Sequence, residues 1–475
     1  MHRLHHLLAP HKVITDPRAL SSFTDDFNQL HPKAPSVVVQ PTTVEDVQSV
    51  VELCWKTRTT IAQRIDDENL NCGVETSGDS VVVDLSMMNQ IVNFFESDRV
   101  VVLEAGVTVQ QLSSFLDERR STLTMRPTLA TTRSSILANC LIDGVHGQSI
   151  NCGSIGQSVA GLEVVLADGS IVKTGSMADS NTHFGRSSLP DVSGLFVGWR
   201  GLTGVVTKVA LYLPRRRLCS ERLIVPAYSV SATFAVMRAL AEGGFCDDVC
   251  AVSWPVERML LGVSRLQPIV DPKEPQFFIH VAISADIPEH LVLKRQMLDT
   301  AIGTIQSSEC RFETPIVMSA ITALSPSLGR IAERVDGLRL LGSRPFSTHS
   351  WIAAYGPLSY LDDCAEVGMD LMVRHGMAPS IISNCMKDGL YGALRFVCEF
   401  DRTREEEADT VCSVINGIVC GVSSRGLVVF DAPAWAMHEK VSNVDVGHRL
   451  LTSGVKSMLD RHGIFGSGAQ RFTSA

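Results

Sequence analysis

The sequence predicts an α+β chain of two or three domains, and three observations carry that prediction. At 475 residues, 45% of them hydrophobic, the chain is too long for a single core and has ample apolar material to bury. Residues 151–214 read as a hairpin followed by a glycine loop that feeds a strand. Leu162–Ala167 and Ile171–Thr174 are β-rich runs around Asp168-Gly169, a pair whose two positions accept positive φ. Gly198, Gly201 and Gly204 then lead into the β-branched run Val205–Leu213, stopped by Pro214. From Leu218 onward strands alternate with amphipathic helices, and the alternation occurs twice.

Charge and cysteine usage narrow the class. A formal net charge of -9 without any sustained Lys/Arg block argues against nucleic acid or an anionic membrane as partner. Arg215-Arg216-Arg217 is short and reads as a solvated junction. Residues 1–6 lack an apolar core of signal-peptide length, and no 18 apolar residues run together. The expectation is a soluble, cytoplasmic chain without a membrane span. None of the 13 cysteines forms Cys-x-x-Cys, so they read as small buried hydrophobes, with no metal site expected.

In chain order, residues 1–35 predict a short helix, a turn at Asp16-Pro17, a second helix from Ala19 and a linker ending at Pro35. Val37–Val39 is a strand, and Thr42-Thr43-Val44-Glu45 caps a helix with Val47, Val50, Val51 and Cys54 on one face. A strand at Thr60–Gln63 runs into Arg64-Ile65-Asp66-Asp67-Glu68-Asn69, and Asp84–Asn89 follows. Val100–Glu104 is a strand before a helix bearing Leu112 and Leu116 four apart. Beyond the hairpin, strands at Arg222–Pro226, Gln276–Ala285, Trp351–Pro357 and Tyr391–Phe400 alternate with helices at Ser231–Leu240, Glu289–Ile305, Leu361–Arg374 and Arg404–Ile418. This predicts two similar halves of a mixed sheet, joined through a linker with short helices at Leu324–Thr348.

The segments Gly161-Leu162-Glu163-Val164-Val165-Leu166-Ala167-Asp168-Gly169 and Asp191–Gly198, with Asp84–Asn89 and the closing Asp460–Gly468, resemble the flavin-binding proteins of the vanillyl-alcohol oxidase superfamily. Its glycolate oxidase, D-lactate dehydrogenase and cresol dehydrogenase branches are the nearest in wording, and the resemblance covers nearly the whole chain. It implies lead-in helices at 1–35, a PCMH-type FAD-binding domain of two α/β subdomains at 36–214, and a substrate or cap domain of mixed or antiparallel sheet covered by helices at 218–440. A C-terminal segment at 446–475 is implied to return to the FAD domain. The same resemblance implies FAD held by Arg64, Thr131, Thr132, Ser134, Ser135, Asn139, Asp143, Gly144, His146, Gly153, Gly201, Gly204 and Val205, non-covalently rather than through His146.

Three loops depart from the family pattern. Where relatives place an arginine and several glycines, this chain has Arg64-Ile65-Asp66-Asp67; Ile65 resists positive φ and the carboxylates would repel a pyrophosphate. Thr132-Arg133-Ser134-Ser135 replaces Thr-Ile-Gly-Gly and keeps small donors. Gly198–Gly204 exchanges a glutamate for Arg200, which would offset an anion or pair with the acidic run at Asp66–Glu68. The family's histidine-rich cap motif has its nearest text at Lys387-Asp388-Gly389-Leu390-Tyr391, without histidines, so the phenol-oxidising branch is the closer analogy.

Tyr391 and Arg395, four apart on one strand face, become the candidates for holding substrate oxygen; decoration of a half-exposed cap strand is the plainer reading. Arg471 is a third catalytic candidate if the tail folds over the pocket, and otherwise a solvated terminal arginine. No Ser/His/Asp order, Walker loop or Gly-x-Gly-x-x-Gly after a strand is present. The expected function is an FAD-dependent oxidoreductase taking a hydride from a small alcohol, hydroxy acid or phenol, with an electron acceptor or a paralogous subunit as partner. The alternative is a flavin-free, degenerate subunit with a structural or regulatory role beside an active paralogue.

Overall fold

Val37-Val38-Val39 and Val81-Val82-Val83 are unbroken apolar runs, the pattern of parallel strands covered on both faces. The computed structural model describes residues 4–23, 35–65, 80–126, 132–186, 189–261, 271, 273–305, 310–324, 347–401, 403–437 and 444–466. In it β1 (Val13–Ile14), β2 (Val37–Val39), β3 (Ile61–Arg64) and β4 (Val81–Asp84) form a sheet of order β1-β2-β4-β3. The last three are parallel and β1 is antiparallel to β2. The crossover helix Val44–Thr57 starts where the Thr43 side chain accepts from Asp46 N, and it buries Val47, Val50, Val51 and Cys54. It stops at Arg58, which takes φ of 55°.

A second, antiparallel sheet joins β5 (Ile91–Phe95), β6 (Val100–Glu104), β7 (Val159–Val165), β8 (Ile171–Lys173) and β9 (Val205–Tyr212) in the order β5-β6-β9-β7-β8. One hydrophobic core runs through both sheets and includes Ile464 and Phe465 from the chain's end. Ile61 N donates to Ile464 O at 2.7 Å, and Lys456 Nζ donates to Leu202 O at 2.6 Å. The β7–β8 turn differs from the sequence expectation: only Gly169 takes positive φ, and the Asp168 side chain instead accepts from Ser170 N.

The remaining strands are β10 (Cys219–Ala227), β11 (Asp248–Ser253), β12 (Phe277–Ala285), β13 (Ile316–Val317), β14 (Ser347–Gly356), β15 (Ile381–Met386), β16 (Tyr391–Asp401) and β17 (Val428–Asp431). They form one sheet of order β13-β10-β12-β11-β15-β16-β14-β17. Numbered within each half, both read 4-1-3-2, and the halves meet where β11 pairs with β15. Of the expected mixed or antiparallel sheet, the antiparallel form is observed: every pairing here is antiparallel among the described residues, because each helix joins two strands that flank a third strand running the other way. The expected linker at Leu324–Thr348 lies almost wholly outside the described residues.

Helices Val230–Glu242, Pro288–Gly303, Leu361–Arg374 and Glu405–Ser424 cover one face of this sheet over a core that includes Phe234, Ile279, Ile352, Ile381 and Phe396. Because side chains alternate along a strand, the intervening residues Tyr355, Asn384, Tyr391 and Arg395 lie on the opposite face. That face meets the first unit: Lys387 N donates to Ser149 O at 2.9 Å, and Tyr355 Oη donates to Asp143 O at 2.9 Å. No helix among the described residues is long and apolar enough to cross a membrane.

Candidate active site at the seam between the first unit and the eight-stranded sheet

The first unit's side of the seam is built by the helix Ile136–Leu141 and the loops that follow it. Ser135 caps this helix, its hydroxyl accepting from Ala138 N at 3.1 Å and donating to Ala105 O at 2.6 Å. A serine hydroxyl has one proton, so the phosphate-donor role expected of Ser135 conflicts with this bond. Asn139 Nδ2 donates to Ser135 O at 2.9 Å and is likewise engaged locally. Asp143 takes φ of 56° and its carboxylate accepts from Ser154 Oγ at 2.5 Å. Burial raises its pKa, against the Ser154 hydrogen bond and the nearby Arg186.

His146 is fully buried. Its Nδ1 accepts from Gln148 N at 3.0 Å, which places the ring proton of the neutral tautomer on Nε2. Burial, reinforced by the Arg126 charge, pushes its pKa down to about 3, so the ring is neutral across the physiological range. Among the described residues Nε2 has no partner, and neither has the buried Nε of Arg126, whose Nη1 is held by Ser158 Oγ. Two buried donors without acceptors thus share one neighbourhood, an arrangement whose energetic cost a ligand's acceptor groups would remove.

The glycine loop adjoins the end of the helix Ile136–Leu141, with Gly198 N donating to Leu141 O at 2.8 Å. Gln63 Nε2 donates to Gly201 O at 2.7 Å and to Gly204 O at 3.1 Å. A Cβ on Gly201, whose φ is +78°, would stand 2.8 Å from that amide, and one on Gly204 would stand 2.6 Å from a Val164 methyl. Both glycines are therefore required by the chain's own packing. Gly198, at φ +82°, faces open space.

From the cap, Tyr355 is stacked on Phe430 at 3.9 Å between centroids and 8° between planes, and Tyr391 meets its edge at 5.7 Å. Burial raises the pKa of both tyrosines, with Asp143 adding to the shift, so each is a neutral phenol. Arg395 is half-buried, with its guanidinium 5.9 Å from the Trp351 ring centre, and its side chain forms no ion pair or hydrogen bond among the described residues. Asn384 is 3% exposed and its Nδ2 has no partner among the described residues. β15–β16 register places Ile382 opposite Arg395 and Asn384 opposite Ala393, so Asn384 and Arg395 share the face two residues apart.

The structure thus brings Asp143, Gly144, His146 and Gly153 into the segment that faces Tyr391 and Arg395 across the seam. Arg64 sits at the end of β3 with its guanidinium over the Phe23 ring at 4.6 Å, and Ile65 beside it is a buried core residue without positive φ. Thr132 O accepts from Gln110 N and Ser134 O from Val109 N, tying that loop to the helix Val109–Glu118. Val205 opens β9. Thr131, Arg471 and the run Asp66–Asn69 lie outside the described residues. Arg200 pairs with Asp431, at 2.8 Å.

Sequence reasoning missed Arg126, Tyr355, Asn384 and Asp431. The signal available for Asn384 was a lone amide inside the apolar run Ile381–Met386; for Tyr355 it was its alternation with Trp351 and Ala353.

Residues 35–175 match the family described as FAD binding domain. Proteins named D-2-hydroxyglutarate dehydrogenase, mitochondrial, are 28% identical over 211 residues in Rattus norvegicus and 26% identical over 324 residues in Bos taurus. Those alignments cover 44% and 64% of this chain but 38% and 57% of the relatives, so the chain spans less than two thirds of their length. A solved structure of p-cresol methylhydroxylase with substrate bound superposes with a TM-score of 0.87 at 18% identity, covering 99% of this chain and 96% of that one. That likeness establishes the shared fold.

Proposed function

We propose, for a chain that carries the FAD binding domain and the fold of the vanillyl-alcohol oxidase superfamily, that it is an FAD-dependent dehydrogenase. Its substrate is a small organic molecule whose ionised oxygen, carboxylate or phenolate, is held by the cap. The same reading divides the chain into an FAD domain at 36–214, a cap at 218–440 and a returning segment at 446–475, a division supported by the two separate cores.

The residues present fit the cofactor. His146 Nε2 and Arg126 Nε are buried donors without acceptors among the described residues, as an electron-rich ligand edge requires. Arg64, Gly144, Gly153 and the Thr132–Ser134 backbone complete the set that would hold it. FAD, when bound, supplies a ring that accepts a hydride.

Arg395 carries the substrate assignment. A half-buried guanidinium without a counter-ion among the described residues is costly, and pairing with an anionic substrate oxygen offsets that cost while fixing orientation. Asn384 Nδ2 and the neutral Tyr391 hydroxyl add uncharged donors on the same face. Tyr355 closes the seam through Asp143 O and excludes water from this side. D-2-hydroxyglutarate, named for the relatives, and p-cresol, named for the structural neighbour, are the two test compounds. Purified protein reconstituted with FAD should retain near-stoichiometric flavin after gel filtration, and one of the two compounds should reduce it. Protein that stays colourless after reconstitution contradicts the proposal.

A further inference from the structure

β17 is an edge strand of four residues, paired only with β14. Its ladder slips: Ala353 pairs with Asp431 and Ala354 with Val429, so Phe430 is an extra residue that the pairing skips. Such a bulge re-aims the side chain it carries and leaves backbone polar groups needing other partners. Here the Phe430 ring is turned onto Tyr355, and the Phe430 carbonyl accepts from Arg200 Nη2 at 2.7 Å.

The same Arg200 nitrogen donates to Asp431 Oδ1 at 2.8 Å, while Asp431 Oδ2 accepts from Trp351 Nε1 at 2.9 Å. The pair is desolvated, with side-chain exposures of 10% for Arg200 and 1% for Asp431. Arg200 belongs to the glycine loop of the first unit and takes φ of 52° there. One guanidinium therefore grips two consecutive residues of the cap. One of them is the stacking floor of Tyr355, whose edge meets Tyr391; the other anchors Trp351, over which Arg395 stands.

We propose that Arg200 is a positioning residue that, through Asp431 and the Phe430 bulge, registers the cap's substrate-facing side chains against the glycine loop. It touches neither substrate nor reacting atoms in this assignment. The alternative reading of Arg200, as a counter-charge for the cofactor's phosphates, predicts a different experiment.

The test uses full-length protein labelled with 15N-tryptophan, with the Trp351 indole resonance assigned by loss in Trp351→Phe. Arg200→Lys, which preserves charge and reach, should leave that resonance in place. Arg200→Met should displace it, weaken FAD affinity by no more than about threefold, and raise KM for whichever test compound is oxidised by about tenfold. An unmoved Trp351 resonance in Arg200→Met overturns the proposal. So does a loss of FAD affinity of about tenfold with Trp351 unmoved, which would assign Arg200 to the phosphates. If Arg200→Met does not fold, Asp431→Asn decides on the same resonance: displacement supports the clasp and an unmoved peak contradicts it. Protein that binds no flavin would defeat the functional reading above, yet the resonance still reports on the clasp.

Discussion

The hydroxyl of Tyr355, on the inner face of the cap sheet, donates to the backbone carbonyl of Asp143 at 2.9 Å and so ties the cap to the loop that carries His146. The carbonyl belongs to a residue at φ 56°, in the left-handed region that a non-glycine residue seldom adopts. Removing the hydroxyl by Tyr355→Phe leaves the stack on Phe430 intact and orphans one part-buried acceptor. The expected loss is about 1 kcal/mol of stability, seen as a lower denaturant midpoint with unchanged slope. An unchanged midpoint would show that this bond contributes nothing net.

His146 makes stability pH-dependent in a defined direction. Its folded pKa, near 3, lies below the ordinary value of 6.5, so between these limits the unfolded chain binds a proton that the folded chain does not. Stability from this group is complete above about pH 6.5 and falls as pH drops towards 3, by up to about 1.4 kcal/mol per pH unit. His146→Gln, which cannot titrate, should flatten the acid limb of melting temperature against pH. Parallel curves for the two proteins would place the acid sensitivity elsewhere.

Ile65 stands where the family pattern has glycine, and its side chain is only 2% exposed within the first core. Ile65→Ala should cost about 2–4 kcal/mol in denaturant unfolding, the range for truncating a buried isoleucine. A cost below about 1 kcal/mol would mean that the site collapses on truncation. Any restoration of glycines in this loop therefore has to spare Ile65 and act on the residues after it.

Much of the fold was legible because its signals are local. Thr43 capping a helix with Val47, Val50, Val51 and Cys54 inward follows from spacing alone, as do the strands around Asp168-Gly169. The antiparallel cap was less legible, since strand-helix alternation has the same sequence period whether the returning strand lies parallel or antiparallel. The site was legible only in part. Tyr391 and Arg395 are only four residues apart and share a strand face, whereas Arg200 and Asp431 are 231 residues apart and no local pattern joins them. Ser135 was recognisable as a small donor, but that its proton goes to Ala105 O depends on packing across 30 residues. Asn384 inside an apolar strand resembles any core position until its amide is found without a partner.

The most direct test of the account is anaerobic flavin reduction in FAD-loaded protein, comparing the native chain with Arg395→Met against D-2-hydroxyglutarate and p-cresol. One compound should bleach the native flavin. Arg395→Met should bind FAD equally well but require about 10- to 100-fold more of that compound for half-maximal reduction, the loss of about 1.5–3 kcal/mol expected for a charge-assisted hydrogen bond. Equal reduction of both proteins at the same concentrations would contradict the assignment of Arg395 as the anchor of an anionic substrate.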